Sequence, residues 1–267
     1  MLSLAQQTIV LIPAFNEAAT IRDLVKRVLN IVPTVIVVDD GSTDATIEQL
    51  ADLPVTVLRN PRNLGKAASL WAGFEHALAQ DARYVITLDG DGQHRPEDIY
   101  RLLELVKRSP HSIVIGARLH DKANFPARRY YANQFARFWI SWAAGYPIAD
   151  TQSGFRVYPV SLLRRLTRRQ VSWNGFVFES EVLIAAGRLG VQSVAVAIPG
   201  IYPQHARPSH FRPVLDIARI VIMVAGRLLV WGMHPIGLWR SLNVPTTIET
   251  SSGGMPEGAE GVAGKGQ

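Results

Sequence analysis

The sequence Tyr84-Val85-Ile86-Thr87-Leu88-Asp89-Gly90-Asp91-Gly92-Gln93-His94 places two aspartates directly after a continuous apolar run. Such a run is typical of a buried strand, and the glycines let the backbone leave extended geometry, so that both carboxylates can turn toward one point. Carboxylates arranged in this way hold Mg²⁺ or Mn²⁺, with waters and substrate phosphate oxygens completing the shell. The stretch predicts either a metal site or a Gly-Asp turn between two strands.

Strands and helices alternate through the part of the chain that precedes this stretch. The predicted strands cover residues 8–12, 35–38, 55–58 and 84–88, and the predicted helices between them cover 21–29, 45–53 and 67–79. This alternation predicts right-handed crossovers and an α/β fold, with a mostly parallel sheet that carries helices on both faces.

A polar cluster follows each of these predicted strands. Ligands of open α/β sheets bind beyond the carboxyl ends of the strands, so clusters at those ends converge on one cleft. The clusters are Pro13-Ala14-Phe15-Asn16-Glu17, Asp39-Asp40-Gly41, Asn63-Leu64-Gly65-Lys66 and the segment from Asp89 to Gln93. Their convergence favours the metal site over the turn.

The second half of the chain is more apolar and more basic. Residues 96–107 and 112–116 predict a helix and a strand, and residues 194–198 a last strand. Residues 125–146 mix arginines with aromatic side chains, which predicts a helix that lies either in a bilayer interface or against the sheet. The longest uncharged part of the apolar segment 211–242 covers 220–226, far short of the ~20 residues that span a bilayer.

These patterns predict three parts. We expect a catalytic domain over residues 1–210, which includes an interface helix at 125–147. An amphipathic membrane-associated segment follows at 211–242, and a disordered tail at 243–267, where Gly, Ser, Thr and Glu leave little to bury.

Composition limits the function classes. The 267 residues contain no cysteine, which excludes disulfides and a thiolate nucleophile. The formal net charge of +6 calls for an anionic partner, such as a nucleic acid, an anionic lipid or a phosphorylated substrate. The absence of a nucleic-acid motif argues against the first. Residues 1–7 lack a basic leader and a signal-type apolar core, so we expect a cytoplasmic protein that associates peripherally with the inner face of the membrane.

Five motifs, taken together and in order, carry a resemblance to a known family. They are Pro13-Ala14-Phe15-Asn16-Glu17, Asp39-Asp40-Gly41-Ser42-Thr43-Asp44, Asn63-Leu64-Gly65-Lys66, Asp89-Gly90-Asp91-Gly92-Gln93-His94 and Asp150-Thr151-Gln152-Ser153-Gly154-Phe155-Arg156. The chain resembles the inverting GT-A glycosyltransferases, most closely the dolichol- and polyprenyl-phosphate sugar synthases. The resemblance implies a GT-A (Rossmann-like) fold, and transfer of a hexose from a UDP- or GDP-sugar to a polyprenyl or dolichyl phosphate.

The resemblance also implies which residues bind the nucleotide sugar. Asp89, Asp91 and the side-chain oxygen of Gln93 would hold Mg²⁺ or Mn²⁺ against the diphosphate. The residues implied to contact the nucleotide sugar itself are Pro13, Ala14, Phe15, Glu17, Asp39, Asp40, Lys66, Arg207 and His210, with Arg212 as an alternative to His210. Asp44 is expected mainly to cap the helix after it. His94 either supports the metal loop or caps the helix that starts near Pro96.

On the acceptor side, the resemblance implies that Arg118 and Arg129, with Asn133, receive the lipid phosphate, which suits the bidentate guanidinium. An ionised phosphate needs positioning more than a general base, and Asp150 is the candidate if a base is used. Arg156 is expected to order this side of the cleft with Asp150. The acidic pair Glu179 and Glu181 lies near the acceptor or simply starts a helix.

Two other functions stay open from the sequence. The same chemistry could act on another lipid or on a saccharide, and such an acceptor would need the base. A membrane protein that binds nucleotide sugars without turnover is the alternative outside the enzymes.

Overall fold

The structure is a computed structural model that describes residues 2–118, 127–167, 171, 177–199, 213–230, 232–246 and 248–249. Within these ranges, the side chains of residues 127–132 and 213–219 are not described. The side chain of Arg129 and the whole of Arg207, His210 and Arg212 therefore lie outside the described residues.

Parallel strands form the first half of one sheet, as the sequence predicts. Each runs for four to seven residues of mostly Val, Ile and Leu, and β1, β2 and β4 are buried on both faces. They are β1 (Thr8–Ala14), β2 (Thr34–Asp39), β3 (Thr56–Arg59) and β4 (Tyr84–Thr87).

The second half of the sheet contains β5 (Ile113–Arg118), β6 (Arg156–Pro159), β7 (Ser193–Ile198) and β8 (Ile248–Glu249). The strand order is β3-β2-β1-β4-β6-β5-β7-β8. Strand β6 lies antiparallel between β4 and β5, and every other pair is parallel. The sheet is therefore mostly parallel, and the antiparallel β6 brings the loop before it to the carboxyl end of β4.

Helices cover both faces of the sheet and enclose two apolar cores. One core includes side chains of α2, α4, α6 and α7, and the other includes those of α1 and α3. The helices are α1 (Ile21–Leu29), α2 (Lys66–Leu78), α3 (Ile99–Arg108), α4 (Ala127–Ala144), α5 (Val160–Leu163), α6 (Phe178–Arg188), α7 (Pro213–Val230) and α8 (Pro235–Asn243).

The helix predicted at 45–53 does not form over its full length. Only one 3-10 turn forms there, Glu48–Leu50. The Asp44 carboxylate accepts a hydrogen bond from the backbone N–H of Thr46 at 3.0 Å, and the Thr46 hydroxyl accepts one from the N–H of Glu17 at 2.8 Å. Short polar side chains that bind backbone in this way compete with helix formation.

The predicted interface helix at 125–147 packs against the domain where its side chains are described. Ala136, Ile140 and Ala143 of α4 are buried in the core. Helix α4 contacts α6, α7 and α8, so these helices cover it. This part of α4 packs on the domain because its aromatic and aliphatic side chains find apolar neighbours there, and contact of the helix with a bilayer interface stays a prediction.

The predicted disordered tail is also corrected at its start. Helix α8 extends to Asn243, and β8 pairs with β7 through Ala195 and Val196. The unpaired backbone groups at the edge of β7 provide the hydrogen-bond partners. A salt bridge of 3.1 Å between Arg108 and Glu249 fixes the strand to α3. Residues 250–267 lie outside the described residues.

In the part of the chain that the structure describes, no helix is both long and apolar enough to cross a membrane.

The contact between α4 and α6 depends on a glycine. A Cβ atom added to Gly187 would lie 2.4 Å from the carbonyl oxygen of Ala144, a backbone atom that cannot move cheaply. We expect Gly187→Ala to lower the free energy of unfolding by about 1–3 kcal/mol in urea denaturation, despite the better helix propensity of alanine.

Gly226→Ala is the matched control, because a Cβ at this position of α7 meets no atom within 4 Å in the part of the chain that the structure describes. It should leave stability unchanged or raise it by up to about 1 kcal/mol. Equal effects of the two substitutions would contradict the packing argument.

Candidate active site

The loop after β1 is fastened to the loop after β2. Asn16 has a positive φ of 58°, and its side-chain oxygen accepts the N–H of Thr43 at 2.7 Å. The N–H of Asn16 in turn donates to the Ser42 hydroxyl at 2.8 Å. These bonds hold Pro13 and Ala14, at the end of β1, beside the acidic end of β2.

The two aspartates at the end of β2 face different partners. Asp39 is fully buried, accepts the N–H of Ser42 at 3.2 Å and lies 3.5 Å from Arg59. Asp40 accepts the side-chain amide of Asn60 at 2.7 Å and the N–H of Gly65 at 2.8 Å. Asp40 therefore orders the loop that leads to Lys66, and contact of either aspartate with a nucleotide stays a prediction.

The loop that carries Asp89 and Asp91 packs directly on the loop after β1. The Gly90 carbonyl accepts the Thr20 hydroxyl at 2.8 Å, and a Cβ on Gly90 would lie 3.3 Å from the carbonyl oxygen of Pro13. Thr20 also donates to the Glu17 carboxylate at 3.3 Å. Two of the predicted clusters thus meet at the same edge of the sheet.

An ion cluster joins three elements across this edge. The Lys66 ammonium, at the start of α2, lies 2.6 Å from Asp89 Oδ1 and 2.9 Å from Glu179 Oε1 in the first turn of α6. Desolvation alone would lower the pKa of Lys66, but the charges of the two carboxylates raise it well above its usual value. The Lys66 side chain as a whole is 40% exposed.

The ionised form of the neighbouring Asp91 is less well stabilised than that of Asp89. Desolvation opposes ionisation of Asp89, but Lys66 lowers the pKa of that carboxyl. Burial and the charge of Asp89 instead raise the pKa of Asp91, whose Oδ1 accepts the backbone N–H of Gln93 at 3.0 Å. The loop therefore offers carboxylate and amide oxygens, the ligands that suit Mg²⁺ or Mn²⁺, around an excess of negative charge.

The side chains that the structure describes do not by themselves form a complete metal site. Among the described residues, no group of three or more His, Asp or Glu side chains is arranged to hold a metal ion. The set of Asp89, Asp91 and Gln93 contains two carboxylates, which fits a cation whose remaining ligands are water and substrate oxygens.

His94 lies behind the metal loop. It is buried, its ring centroid is 5.3 Å from that of Phe155, and burial lowers the pKa of its imidazole to about 4. Arg95, not His94, occupies the cap position before the Pro96–Asp98 turn. The helix-cap alternative for His94 is therefore wrong. Its ring packs against Phe155, and support of the Asp89–Gln93 loop by His94 stays a prediction.

Arg118 and Asp150 meet at the end of β5. The N–H of Arg118 lies 3.4 Å from Asp150 Oδ2, and Asp150 Oδ1 accepts the N–H groups of Gln152 and Ser153 at 2.8 and 3.0 Å. The Nε of Arg118 is buried with no hydrogen-bond partner in the described part of the chain. Asp150 orders a loop, whereas the Arg118 guanidinium keeps capacity to bind an anion.

Arg156 ties the loop before β6 to α6. It is completely buried, and its guanidinium donates to the carbonyls of Ser153, Thr151 and Glu179 at 2.7, 3.0 and 2.8 Å. The predicted ordering role of Arg156 is confirmed. The Glu179 backbone is thereby held on one side while its carboxylate holds Lys66 on the other.

Some predicted residues are not part of this constellation. Glu181 turns away from Lys66 and lies 3.5 Å from Arg227 of α7. Asn133 is half-buried in α4, and Phe15 is half-buried after β1. The contacts of Arg129, Arg207 and His210 lie outside the described side chains.

Sequence reasoning missed two features of the cleft. The pairing of Lys66 with Glu179 has no local spacing that could reveal it. Gly154 is the second, because a Cβ there would lie 2.7 Å from Asp89 Oδ2 and 2.9 Å from Lys66 Nζ. The position of Gly154 in the last motif was visible, but its contact with the ion cluster follows only from the antiparallel β6.

The comparison with protein families decides the relationship. The sequence profile described as "Glycosyl transferase family 2" matches residues 9–167, which include the ends of β1, β2 and β4 and the loop before β6. The chain belongs to glycosyl transferase family 2.

Named members of the family are similar over most of this chain. Polyprenol monophosphomannose synthase of Mycolicibacterium smegmatis is 30% identical over 204 residues, 72% of this chain and 77% of that protein. Undecaprenyl-phosphate mannosyltransferase of Micrococcus luteus is 30% identical over 207 residues, 72% of this chain and 82% of that protein.

Solved structures support the fold of this family 2 chain. Glucosyl-3-phosphoglycerate synthase of Mycobacterium tuberculosis, crystallised with Mn²⁺, UDP and glucosyl-3-phosphoglycerate, superposes with a TM-score of 0.59 at 20% identity. The superposition covers 84% of this chain and 79% of that one. The GT-A fold is thereby confirmed.

The buried Arg156 should be essential for the stability of this family 2 domain. Arg156→Met leaves the carbonyls of Thr151, Ser153 and Glu179 without their donor, so we expect the free energy of unfolding to fall by about 3 kcal/mol or more. Arg164→Met is the control, because it removes the same charge at an exposed position. Its free energy of unfolding should stay within about 0.5 kcal/mol of the wild-type value. A similar small change for Arg156→Met in urea denaturation would contradict the assigned role.

Proposed function

We propose that this chain transfers a hexose from a UDP- or GDP-sugar to a polyprenyl or dolichyl phosphate, with inversion at the anomeric carbon, at the cytoplasmic face of the membrane. The observation that carries the proposal is the Lys66, Asp89 and Glu179 ion cluster beside Asp91, at the same edge of the sheet as Arg118. Side chains suited to a metal ion and a diphosphate therefore lie at the same edge of the sheet as Arg118, whose guanidinium suits a phosphate acceptor.

On the nucleotide-sugar side, Asp89, Asp91 and Gln93 would hold Mg²⁺ or Mn²⁺. The bound ion supplies charge neutralisation to the leaving nucleoside diphosphate. Lys66 keeps Asp89 ionised and in place through their 2.6 Å contact. The loop after β1, with Phe15 and Glu17, and the Asp39-Asp40 pair at the end of β2 would contact the base and ribose. The Asp40 carboxylate also accepts hydrogen bonds from Asn60 and Gly65, which orders the loop before Lys66.

On the acceptor side, Arg118 would bind the lipid phosphate, with Arg129 as the second guanidinium. A phosphate oxygen of the acceptor bonds to the anomeric carbon, the bond from that carbon to the diphosphate oxygen breaks, and the nucleoside diphosphate leaves. The attacking oxygen is already ionised, so no proton has to be removed. Two relatives at 30% identity are named for polyprenol and undecaprenyl phosphate, which favours this acceptor class.

Transfer assays test the proposal directly. Purified protein is incubated with radiolabelled UDP- and GDP-sugars, Mn²⁺ or Mg²⁺ and polyprenyl phosphate in detergent, and the labelled glycolipid is measured. We expect one sugar to be transferred, EDTA to abolish the transfer, and Asp89→Asn or Asp91→Asn to lower kcat by about 100-fold or more.

Asp81→Asn is the control, because this aspartate is exposed in the loop before β4. It should transfer at the wild-type rate. Failure to form glycolipid with any UDP- or GDP-sugar, or transfer that survives EDTA unchanged, would contradict the proposal.

Substitution of Asp150 tests whether the acceptor is an ionised phosphate or a hydroxyl group that needs a general base. In Asp150→Asn, the side-chain oxygen can still accept the N–H groups of Gln152 and Ser153, so we expect kcat to fall less than about 10-fold. Arg118→Gln should instead raise the KM for the polyprenyl phosphate. A general base contributes about 10²–10⁴-fold, and a loss of that size in Asp150→Asn with Arg118→Gln unaffected would favour a hydroxyl acceptor.

A further inference from the structure

The Lys66 ammonium is a cation in direct contact with one of the predicted metal ligands. It lies 2.6 Å from Asp89 Oδ1 and 2.9 Å from Glu179 Oε1. The proposed function gives the carboxylate of Asp89 to Mg²⁺ or Mn²⁺. Two cations that contact the same carboxylate repel each other, and partial burial of the site strengthens the repulsion. Lys66 and a metal ion are therefore competitors for Asp89.

The loop before β6 crowds the Asp89 carboxylate from another side. A Cβ on Gly154 would lie 2.7 Å from Asp89 Oδ2 and 3.1 Å from Asp89 Oδ1. The loop is held in this position, because the Gly154 carbonyl accepts the buried hydroxyl of Thr87 at 2.7 Å. Little room is left for a ligand on the Gly154 side. A metal ion that Asp89 shares with Asp91 would therefore meet the Lys66 ammonium.

Lys66 has the most mobile side chain of the ion cluster. It is 40% exposed, compared with 26% for Asp89 and 17% for Glu179. A lysine carries its charge on a flexible four-carbon stem and has three N–H donors to share among oxygen atoms. Glu179 is held more firmly, because its backbone carbonyl accepts the Arg156 guanidinium at 2.8 Å. The ammonium can thus turn from Asp89 to a new anion while it keeps its contact with Glu179.

The charges at this edge of the sheet favour a metal ion and a diphosphate together over a metal ion alone. A metal ion alone has to share the carboxylate of Asp89 with the ammonium that already contacts it. A diphosphate brings further anionic oxygens, which suit both a divalent cation and an ammonium. With the diphosphate present, the two cations bind a common anion and no longer depend on the same carboxylate.

We propose that Lys66 competes with the divalent cation for Asp89, and that the diphosphate of the nucleotide sugar ends this competition by accepting hydrogen bonds from the ammonium. Lys66 then makes binding of the metal ion alone weak. The metal ion and the nucleotide each strengthen the binding of the other, by the same factor in both directions. The inference rests on the metal ion and the donor of the proposed function, and adds the residue that couples their binding.

Binding of Mn²⁺ to the full chain tests this coupling without any sugar transfer. The electron paramagnetic resonance signal of free Mn²⁺ gives the Kd of Mn²⁺, first alone and then with saturating UDP or GDP. We expect Lys66→Gln to bind Mn²⁺ alone about tenfold more tightly than the wild type, because the competing charge is removed. The nucleotide should strengthen Mn²⁺ binding about tenfold less in this variant. Binding of Mn²⁺ by free nucleotide is the same for both proteins, so it cancels in the comparison.

Glu179→Gln should change Mn²⁺ binding in the opposite direction. The variant removes one of the two carboxylates that share the Lys66 ammonium, so the ammonium contacts Asp89 more exclusively. We expect Mn²⁺ alone to bind about tenfold more weakly than in the wild type. Damage to the fold would weaken Mn²⁺ binding in both variants, so changes of opposite sign cannot result from it.

Lys107→Gln is the charge-matched control. This exposed lysine is in the last turn of α3, close to the amino end of β5 and thus at the opposite edge of the sheet from Asp89. Its Mn²⁺ binding should equal that of the wild type. A gain as large as that of Lys66→Gln would reduce the effect to overall charge and overturn the inference.

Thermal unfolding checks that each variant is folded. A folded Lys66→Gln protein that binds Mn²⁺ alone no more tightly than the wild type would overturn the inference. If Lys66→Gln does not fold, Glu179→Gln decides, and wild-type Mn²⁺ affinity in the folded variant would overturn the inference as well. Absence of Mn²⁺ binding by the wild type, with and without nucleotide, would have the same consequence.

The transfer assay separates this inference from the proposed function. Glycolipid formation by the wild type, with Mn²⁺ binding that Lys66→Gln leaves unchanged, would refute only the competition. A coupling between Mn²⁺ and nucleotide that Lys66→Gln loses, in a protein that forms no glycolipid, would refute only the proposed function.

Discussion

The Lys66 ammonium between Asp89 and Glu179 is the interaction on which the cleft depends. These carboxylates come from the end of β4 and the first turn of α6, and together they would repel each other in a cleft with little water. One ammonium within 3 Å of both offsets that repulsion, and the cost of desolvating it is recovered only because both partners are present. The ion cluster therefore fixes α2, β4 and α6 relative to one another at the edge where substrates would bind.

Arg156 extends the same constraint behind the cleft. Its guanidinium binds the Glu179 carbonyl, so Glu179 is held through its backbone as well as through its carboxylate. The same guanidinium holds the loop of Thr151 and Ser153, which brings Gly154 against Asp89. A side chain at position 154 would push on the ion cluster, and this explains why the loop approaches it at a glycine.

The parallel part of the sheet could be predicted because each apolar run is followed by a polar cluster, a local pattern that also places Asp39, Lys66 and Asp89 at one edge. Partners across the sheet could not be predicted in this way. The antiparallel direction of β6 is decided by its pairing with β4 and β5, and Glu179 reaches Lys66 only through that pairing. The helix predicted at 45–53 failed for a different reason, since side-chain hydrogen bonds of Asp44 and Thr46 replaced its first turn.

Helix α6 joins the cleft to the helices behind it. Its first turn directs Glu179 to Lys66 in the cleft and Glu181 to Arg227 of α7, and the helix packs against α4. A reaction between a soluble nucleotide sugar and a lipid gains most when the lipid phosphate arrives in a fixed orientation, because positioning replaces an encounter in solution. The buried contacts of α6 hold Glu179, and through it Lys66 and Asp89, in the fixed geometry on which the proposed reaction depends.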